Sequence, residues 1–227
     1  MTRSTNPLIV AADFSDPNRA ETLAKRLVGI AGMVKIGLEL FTAAGPEIVR
    51  RIGRHLPVFL DLKLHDIPTT VERASTNAAR LGVEMVTVHG LGGAEMIRAA
   101  ASGAGEGAAA AGVRPPAVVA VTILSSLAEQ EGTSSTTIGF EAVRAGASGL
   151  VVSGEQVAVV RETLGGEPIL VVPGIRPAGA SSNDHARLLT PREAIEAGAD
   201  YLVVGRPITQ ADDPAAAASR ILEEATA

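Results

Sequence analysis

Short apolar runs recur along the chain at close to regular intervals. They are LIVAAD (8–13), MVKIG (33–37), VFLDLK (58–63), VEMVTVH (83–89), AVVAVTIL (117–124), GLVVS (149–153), PILVVPG (168–174) and DYLVVG (200–205). Each is short, rich in Val and Ile, and nearly continuous rather than alternating, the pattern of strands buried on both faces of a parallel sheet. Helical patterns fill the gaps at 17–30, 39–54, 67–81, 94–111, 136–145, 155–164, 191–197 and 214–225. Asp16-Pro17 supplies a cap and a first-turn proline for the first of them. Gly82, Gly112, Gly146 and Gly198 stand where left-handed helix terminators belong. Eight β/α units in 227 residues predict an α/β protein, a (β/α)8 TIM barrel of one domain covering 1–227. A doubly wound open sheet is the rival, but the eight units fill the barrel with nothing left over.

Two segments depart from this rhythm. Residues 99–112 (AAASGAGEGAAAAG) read as a small-residue helix or helix–loop. Residues 173–190 (PGIRPAGASSNDHARLLT) form a long polar loop after the seventh strand. A loop of that length inside a compact domain is usually functional, and its Gly, Ser and Asn content suits a lid.

Composition narrows the chemistry. Hydrophobic residues make up 46% but aromatics only 2%, so the core must be built from Val, Ile, Leu and Ala. A formal charge of -5 argues against a nucleic-acid footprint, and no cysteine is present for disulfides, thiolate metal sites or thiol nucleophiles. The apolar run near the N-terminus is too short for a signal peptide or a span, and no later segment approaches about 18 apolar residues. The expectation is a cytoplasmic protein without a membrane partner.

The chemistry concentrates in Phe59-Leu60-Asp61-Leu62-Lys63-Leu64-His65-Asp66. On a strand, alternate residues share a face, so Asp61 and Lys63 point one way and Leu60, Leu62 and Leu64 the other. Opposite charges at the C-terminal end of a barrel strand sit where these folds keep catalysis. Lys35 lies in the second apolar strand and Asp13 ends the first, so three successive strands deliver charge to one mouth. A lone buried Asp–Lys pair is often only structural; four or five charges at one barrel face describe a site.

The run DLKLHDIPTTV (61–71) closely resembles the signature of the orotidine 5'-phosphate decarboxylase family, Asp-x-Lys-x-x-Asp-Ile-Pro-x-Thr. LIVAADF, VKIGLELF, VTVHGLGG, VTILSS, PGIRPAG and DYLVVGRPIT resemble the same family in the same order, so the likeness spans essentially the whole chain. It implies decarboxylation of orotidine 5'-monophosphate to uridine 5'-monophosphate, in pyrimidine biosynthesis, with no metal and no organic cofactor. Asp13 and Lys35 would bind ribose hydroxyls. Asp61, Lys63 and Asp66 would form the charged array at the reacting carbon, with Lys63 as proton donor. Asp66 and Thr70 would reach into a partner's site across a homodimer interface. Ser125 would contact the pyrimidine, with Ser126 beside it as the other register. Arg176, Gly205 and Arg206 would hold the 5'-phosphate. That last assignment also stands on physics, because loops after strands seven and eight commonly bind phosphate in these barrels, and a guanidinium binds it bidentately.

One departure stands in the long loop, where relatives usually carry Asp-Gln and this chain has Asn183-Asp184-His185. His185 becomes a candidate phosphate contact with a pH dependence near neutrality. His55 reads as a helix-end cap, His65 as packing or support, and His89 as a residue of the mouth. No pair of histidines has helical ligand spacing, so a zinc site is not expected. The nearest alternative is a magnesium-dependent phosphosugar barrel of the 3-keto-gulonate-phosphate decarboxylase or hexulose-phosphate synthase kind. The Ile67-Pro68-Thr69-Thr70 and Gly174-Ile175-Arg176 continuations favour the orotidylate branch. A non-catalytic phosphate-binding barrel is the alternative from another class.

Overall fold

A computed structural model describes residues 6–122, 134–177 and 189–227. Eight parallel strands close into a barrel in chain order: β1 (Leu8–Ala11), β2 (Met33–Gly37), β3 (Val58–Leu64), β4 (Met85–His89), β5 (Ala117–Val121), β6 (Gly149–Val151), β7 (Ile169–Pro173) and β8 (Tyr201–Val204). Closure is made by β1 pairing with β8, with Ile9 opposite Val203. The open-sheet rival is therefore excluded.

The continuous apolar runs are explained by two separate cores. Ile9, Met33, Phe59, Met85, Val119, Ile169, Val171 and Tyr201 fill the barrel interior. The residues between them in sequence, such as Val10, Val34, Leu60, Val86 and Val172, face outward and pack under the helices. A strand buried on both sides needs apolar residues at every position, so alternation disappears.

The helices are α1 (Pro17–Arg26), α2 (Leu38–Ala44), α3 (Glu47–Gly53), α4 (Pro68–Arg80), α5 (Gly93–Ala111), α6 (Ser135–Arg144), α7 (Val157–Leu164), α8 (Pro191–Glu196), α9 (Arg206–Thr209) and α10 (Pro214–Thr226). Asp16 caps α1 as expected, its carboxylate accepting from the backbone N–H groups of Asn18 and Arg19. The helix expected over 39–54 is broken in two. Gly45 at φ 64 ends α2, and Pro46 supplies no N–H to continue it. The short α9, just after Gly205, was not expected from the sequence.

The Ala/Gly-rich segment is a full helix, α5, with Gly112 in the left-handed conformation at its end. Its small residues have a packing reason. A Cβ on Gly103 would lie 2.2 Å from the backbone oxygen of Glu72, and one on Gly107 2.2 Å from that of Thr76. α5 thus lies directly against the backbone of α4, the helix that follows Asp66.

Candidate active site

The C-terminal ends of the first three strands carry a continuous chain of charges. Lys35 reaches up from β2, where it is 8% exposed, to place Nζ 2.8 Å from Asp13 Oδ1 and 3.6 Å from Asp61 Oδ2. Lys63 Nζ lies 2.9 Å from both carboxylate oxygens of Asp61. The order Asp13–Lys35–Asp61–Lys63 alternates in sign, so each charge faces an opposite one, which for the largely buried Lys35 and Asp61 offsets the cost of removal from water. Gly37, at the end of β2, leaves the room this needs: a Cβ there would stand 3.1 Å from both Asp13 Oδ1 and Lys35 Nζ.

Lys63 does not sit on a regular strand. Between the pairs Leu60–Val86 and Leu64–Val88 the register shifts, and Asp61, Leu62 and Lys63 lie opposite Thr87 alone. Lys63 has φ 50, the one positive value at a non-glycine residue among those described. That conformation costs an L-residue about 1–2 kcal/mol, and strain of this kind gathers at functional sites. The expected faces hold, with Leu60, Leu62 and Leu64 packed outward, but simple alternation does not deliver Lys63; a bulge does.

Thr87 is a site residue that sequence reasoning missed. It is fully buried, accepts the Lys63 backbone N–H at 2.8 Å and donates its hydroxyl to Asp61 Oδ1 at 3.0 Å. Its sequence signal was a polar residue inside MVTVH, on the inward parity shared with Met85. Lys35, Phe59, Asp61 and Lys63 line a pocket with Val121, Val151, Ser153, Pro173 and Val203. Ser153 was likewise not anticipated.

The remaining candidates divide by place. Asp66 and Thr70 are exposed; the Asp66 carboxylate accepts from the N–H of Ile67 at 2.7 Å and makes no ion pair with a described residue. Arg176 follows β7 and Gly205-Arg206 follows β8, and these strands are paired with Pro173 opposite Val203. A Cβ on Gly205 would lie 4.0 Å from Asp13 Oδ2, which puts this turn beside the charged chain. Arg176 is tied to its own loop, Nη1 donating to the Ile175 carbonyl at 3.1 Å. Ser125, Ser126 and His185, with most of the long loop, lie outside the described residues.

The histidines find other partners. His65 and His89 stack with ring centroids 5.1 Å apart. Nδ1 of His89 accepts the Leu91 N–H at 3.3 Å, so the ring anchors the turn after β4. Burial holds the His89 imidazole below its usual titration range, and His65 and Lys63 nearby push the same way. His55 is not a helix cap as expected; from just beyond the end of α3 its Nε2 faces Glu21 Oε1 of α1 at 3.5 Å.

A closed (β/α)8 barrel with alternating carboxylates and ammonium groups at the C-terminal ends of its first three strands, and arginines after strands seven and eight, has the architecture of a barrel enzyme with its site at that mouth. A profile of the orotidine 5'-phosphate decarboxylase / HUMPS family matches residues 6–221. The orotidine 5'-phosphate decarboxylase of Paramagnetospirillum magneticum is 48% identical over 96% of this chain and 98% of its own length. That of Anaeromyxobacter dehalogenans is 49% identical over 94% and 96%. The crystal structure of orotidine 5'-phosphate decarboxylase from Lactobacillus acidophilus superposes with a TM-score of 0.83 at 36% identity, covering 98% of this chain and 100% of that one. The chain belongs to the orotidine 5'-phosphate decarboxylase / HUMPS family.

Proposed function

We propose that this barrel mouth converts orotidine 5'-monophosphate to uridine 5'-monophosphate and CO2, with the whole chain acting as one domain. The observation that carries the reading is the Asp13–Lys35–Asp61–Lys63 series of ion pairs, of which Lys35, Asp61 and Lys63 line the pocket, in a chain of this family. Two relatives at 48% and 49% identity bear the decarboxylase name, which favours this branch over a magnesium-dependent phosphosugar enzyme.

Breaking the bond between C6 and its carboxylate leaves an electron pair on C6 with no adjacent carbonyl to take it up. Stabilisation must therefore be electrostatic and protonation prompt. The Lys63 ammonium supplies both: its charge faces the developing carbanion, and its proton moves to C6 as CO2 departs. Asp61 keeps that ammonium in place and stands against the substrate carboxylate, a repulsion relieved when CO2 leaves. Asp13 and Lys35 take the ribose hydroxyls. Arg176, Gly205 and Arg206 hold the phosphate, and binding energy gained there, away from the reacting carbon, positions the base. Ser125 is assigned to the pyrimidine and His185 to the phosphate by resemblance alone.

Asp66 and Thr70 complete the site of a second copy in a homodimer. In support, Asp66 has no ion pair with a described residue, and Leu38, Ile67 and Leu91 are 55%, 66% and 56% exposed after β2, β3 and β4. Apolar side chains open to water on neighbouring strand ends suit an isologous contact. Among the described residues no helix is long and apolar enough to cross a membrane, and the enzyme is assigned to the cytoplasm.

The test is absorbance loss when EDTA-treated protein meets orotidine 5'-monophosphate. Rapid loss with uridine 5'-monophosphate as product is expected. No loss, followed by turnover of a phosphosugar once magnesium is added, would overturn the assignment.

A further inference from the structure

The bulge in β3 leaves a gap in the β3–β4 ladder at the place where the two charged groups are presented. Leu60 pairs with Val86 and Leu64 with Val88, so on the β4 side the backbone of Asp61 to Lys63 has only Thr87 opposite it. The Thr87 hydroxyl fills that gap. A carboxylate cannot donate and a backbone N–H cannot accept, so the directions of both bonds are fixed. The hydroxyl proton goes to Asp61 Oδ1 at 3.0 Å, and a lone pair takes the Lys63 N–H at 2.8 Å. One buried oxygen thus ties the left-handed backbone of Lys63 to the carboxylate that holds the Lys63 ammonium.

We propose that Thr87 is a positioning residue of the decarboxylation, its hydroxyl locking Lys63 and Asp61 into the one arrangement that presents both charges to the reacting carbon. The inference rests on the roles assigned above to Lys63 and Asp61. Without the hydroxyl, the Lys63 N–H loses its partner on β4, and Asp61 Oδ1 loses its hydroxyl donor, leaving the carboxylate to the two ammonium groups alone. Both charges would remain, but not held together at the reacting carbon. The loss should therefore fall on turnover rather than on binding, since the ribose and phosphate contacts come from other strands.

The experiment compares Thr87→Val, Thr87→Ser, Thr87→Cys and Lys63→Ala in the full chain. It measures kcat and KM for orotidine 5'-monophosphate, dissociation of uridine 5'-monophosphate, and thermal unfolding. Val matches the shape of Thr without the hydroxyl; the expectation is a kcat lower by about tenfold or more with KM changed by less than about threefold. Ser restores the hydroxyl and should bring kcat back to within about threefold of wild type. Cys, a weak donor and acceptor of similar size, should fall between them, and it carries the test if the Val variant does not fold. A Val variant with wild-type kcat would overturn the proposal, as would a Ser variant as impaired as Val, which would point to methyl packing instead. Lys63→Ala separates the two levels: if it keeps a tenth or more of turnover, the site reading itself fails. An inactive Lys63→Ala beside an unimpaired Thr87→Val sinks the Thr87 inference alone.

Discussion

Lys63 Nζ lies 2.9 Å from each carboxylate oxygen of Asp61, two residues before it on the same strand. An ammonium held by both oxygens is fixed in direction as well as in charge. It can supply an acid in the pocket only if the chain bends to turn it inward, which is what the left-handed backbone of Lys63 achieves. Lys63→Ala should therefore lower kcat by about 100- to 10,000-fold or more. Uridine 5'-monophosphate should still bind, and a variant that keeps a tenth of wild-type turnover would remove Lys63 as proton donor.

The phosphate assignment predicts a loss that depends on the substrate. Arg206→Ala should weaken binding of uridine 5'-monophosphate by about tenfold or more, the worth of a charge-assisted hydrogen bond. Uridine, which lacks the phosphate, should bind wild type and variant alike. Equal losses for nucleotide and nucleoside would place Arg206 elsewhere in the mechanism.

A shared site can be tested by complementation. Lys63→Ala and Asp66→Ala should each be inactive alone. In a mixed dimer one site carries both defects and the other carries neither, so random reassociation of equal amounts should recover about a quarter of wild-type activity. Mixtures as inactive as their components would show that Asp66 serves its own chain.

Acid stability should report on the α1–α3 contact. Lys25 first, and Arg51 through Nε at 2.8 Å, hold the Glu21 carboxyl down to about 2 from an ordinary 4.5. A depressed folded value means the stabilisation is complete above about 4.5 and disappears as pH falls toward 2. Glu21→Gln should lower the unfolding temperature at pH 7, and the gap from wild type should close between those two values. A gap that stays constant down to pH 2 would mean that shape, not charge, matters there.

The two glycine environments of α5 predict opposite signs. Gly107→Ala would press a methyl group against the Thr76 backbone and should cost about 1–3 kcal/mol or more. At Gly105 nothing lies within 4 Å of a built Cβ, so Gly105→Ala should stabilise by about 0.5–1 kcal/mol. Denaturant unfolding of both variants checks the pair, and a tolerated Gly107→Ala would refute the close backbone approach.

Much of this architecture could be read from local pattern, because local pattern is what a barrel uses. A strand covered on both faces must be apolar throughout, so LIVAAD, MVKIG and their counterparts announced eight buried strands. Asp16-Pro17 announced a helix start through cap chemistry that acts over three residues. The break at Gly45-Pro46 was legible in principle, since proline cannot continue a helix hydrogen-bond ladder, but the apolar spacing around it hid the stop. Asp13, Lys35, Asp61 and Lys63 stood out as charges in apolar strands, where only a partner or a function keeps them.

Tertiary structure decided what depends on a neighbouring strand. Period-two reasoning put Asp61 and Lys63 on one face, yet only the β3–β4 register could reveal that three residues oppose Thr87 and that Lys63 turns left-handed. Thr87 itself looked like one more strand residue, because its role lies wholly in two bonds to residues more than twenty positions away. His55 faced Glu21 rather than a helix end for the same reason, their meeting being set by how α1 packs on α3. Periodicity and capping are written in short-range steric and hydrogen-bond preferences, which a sequence displays directly. Register shifts, ion-pair partners and close backbone approaches are energies between distant segments, and they acquire values only once the barrel has closed.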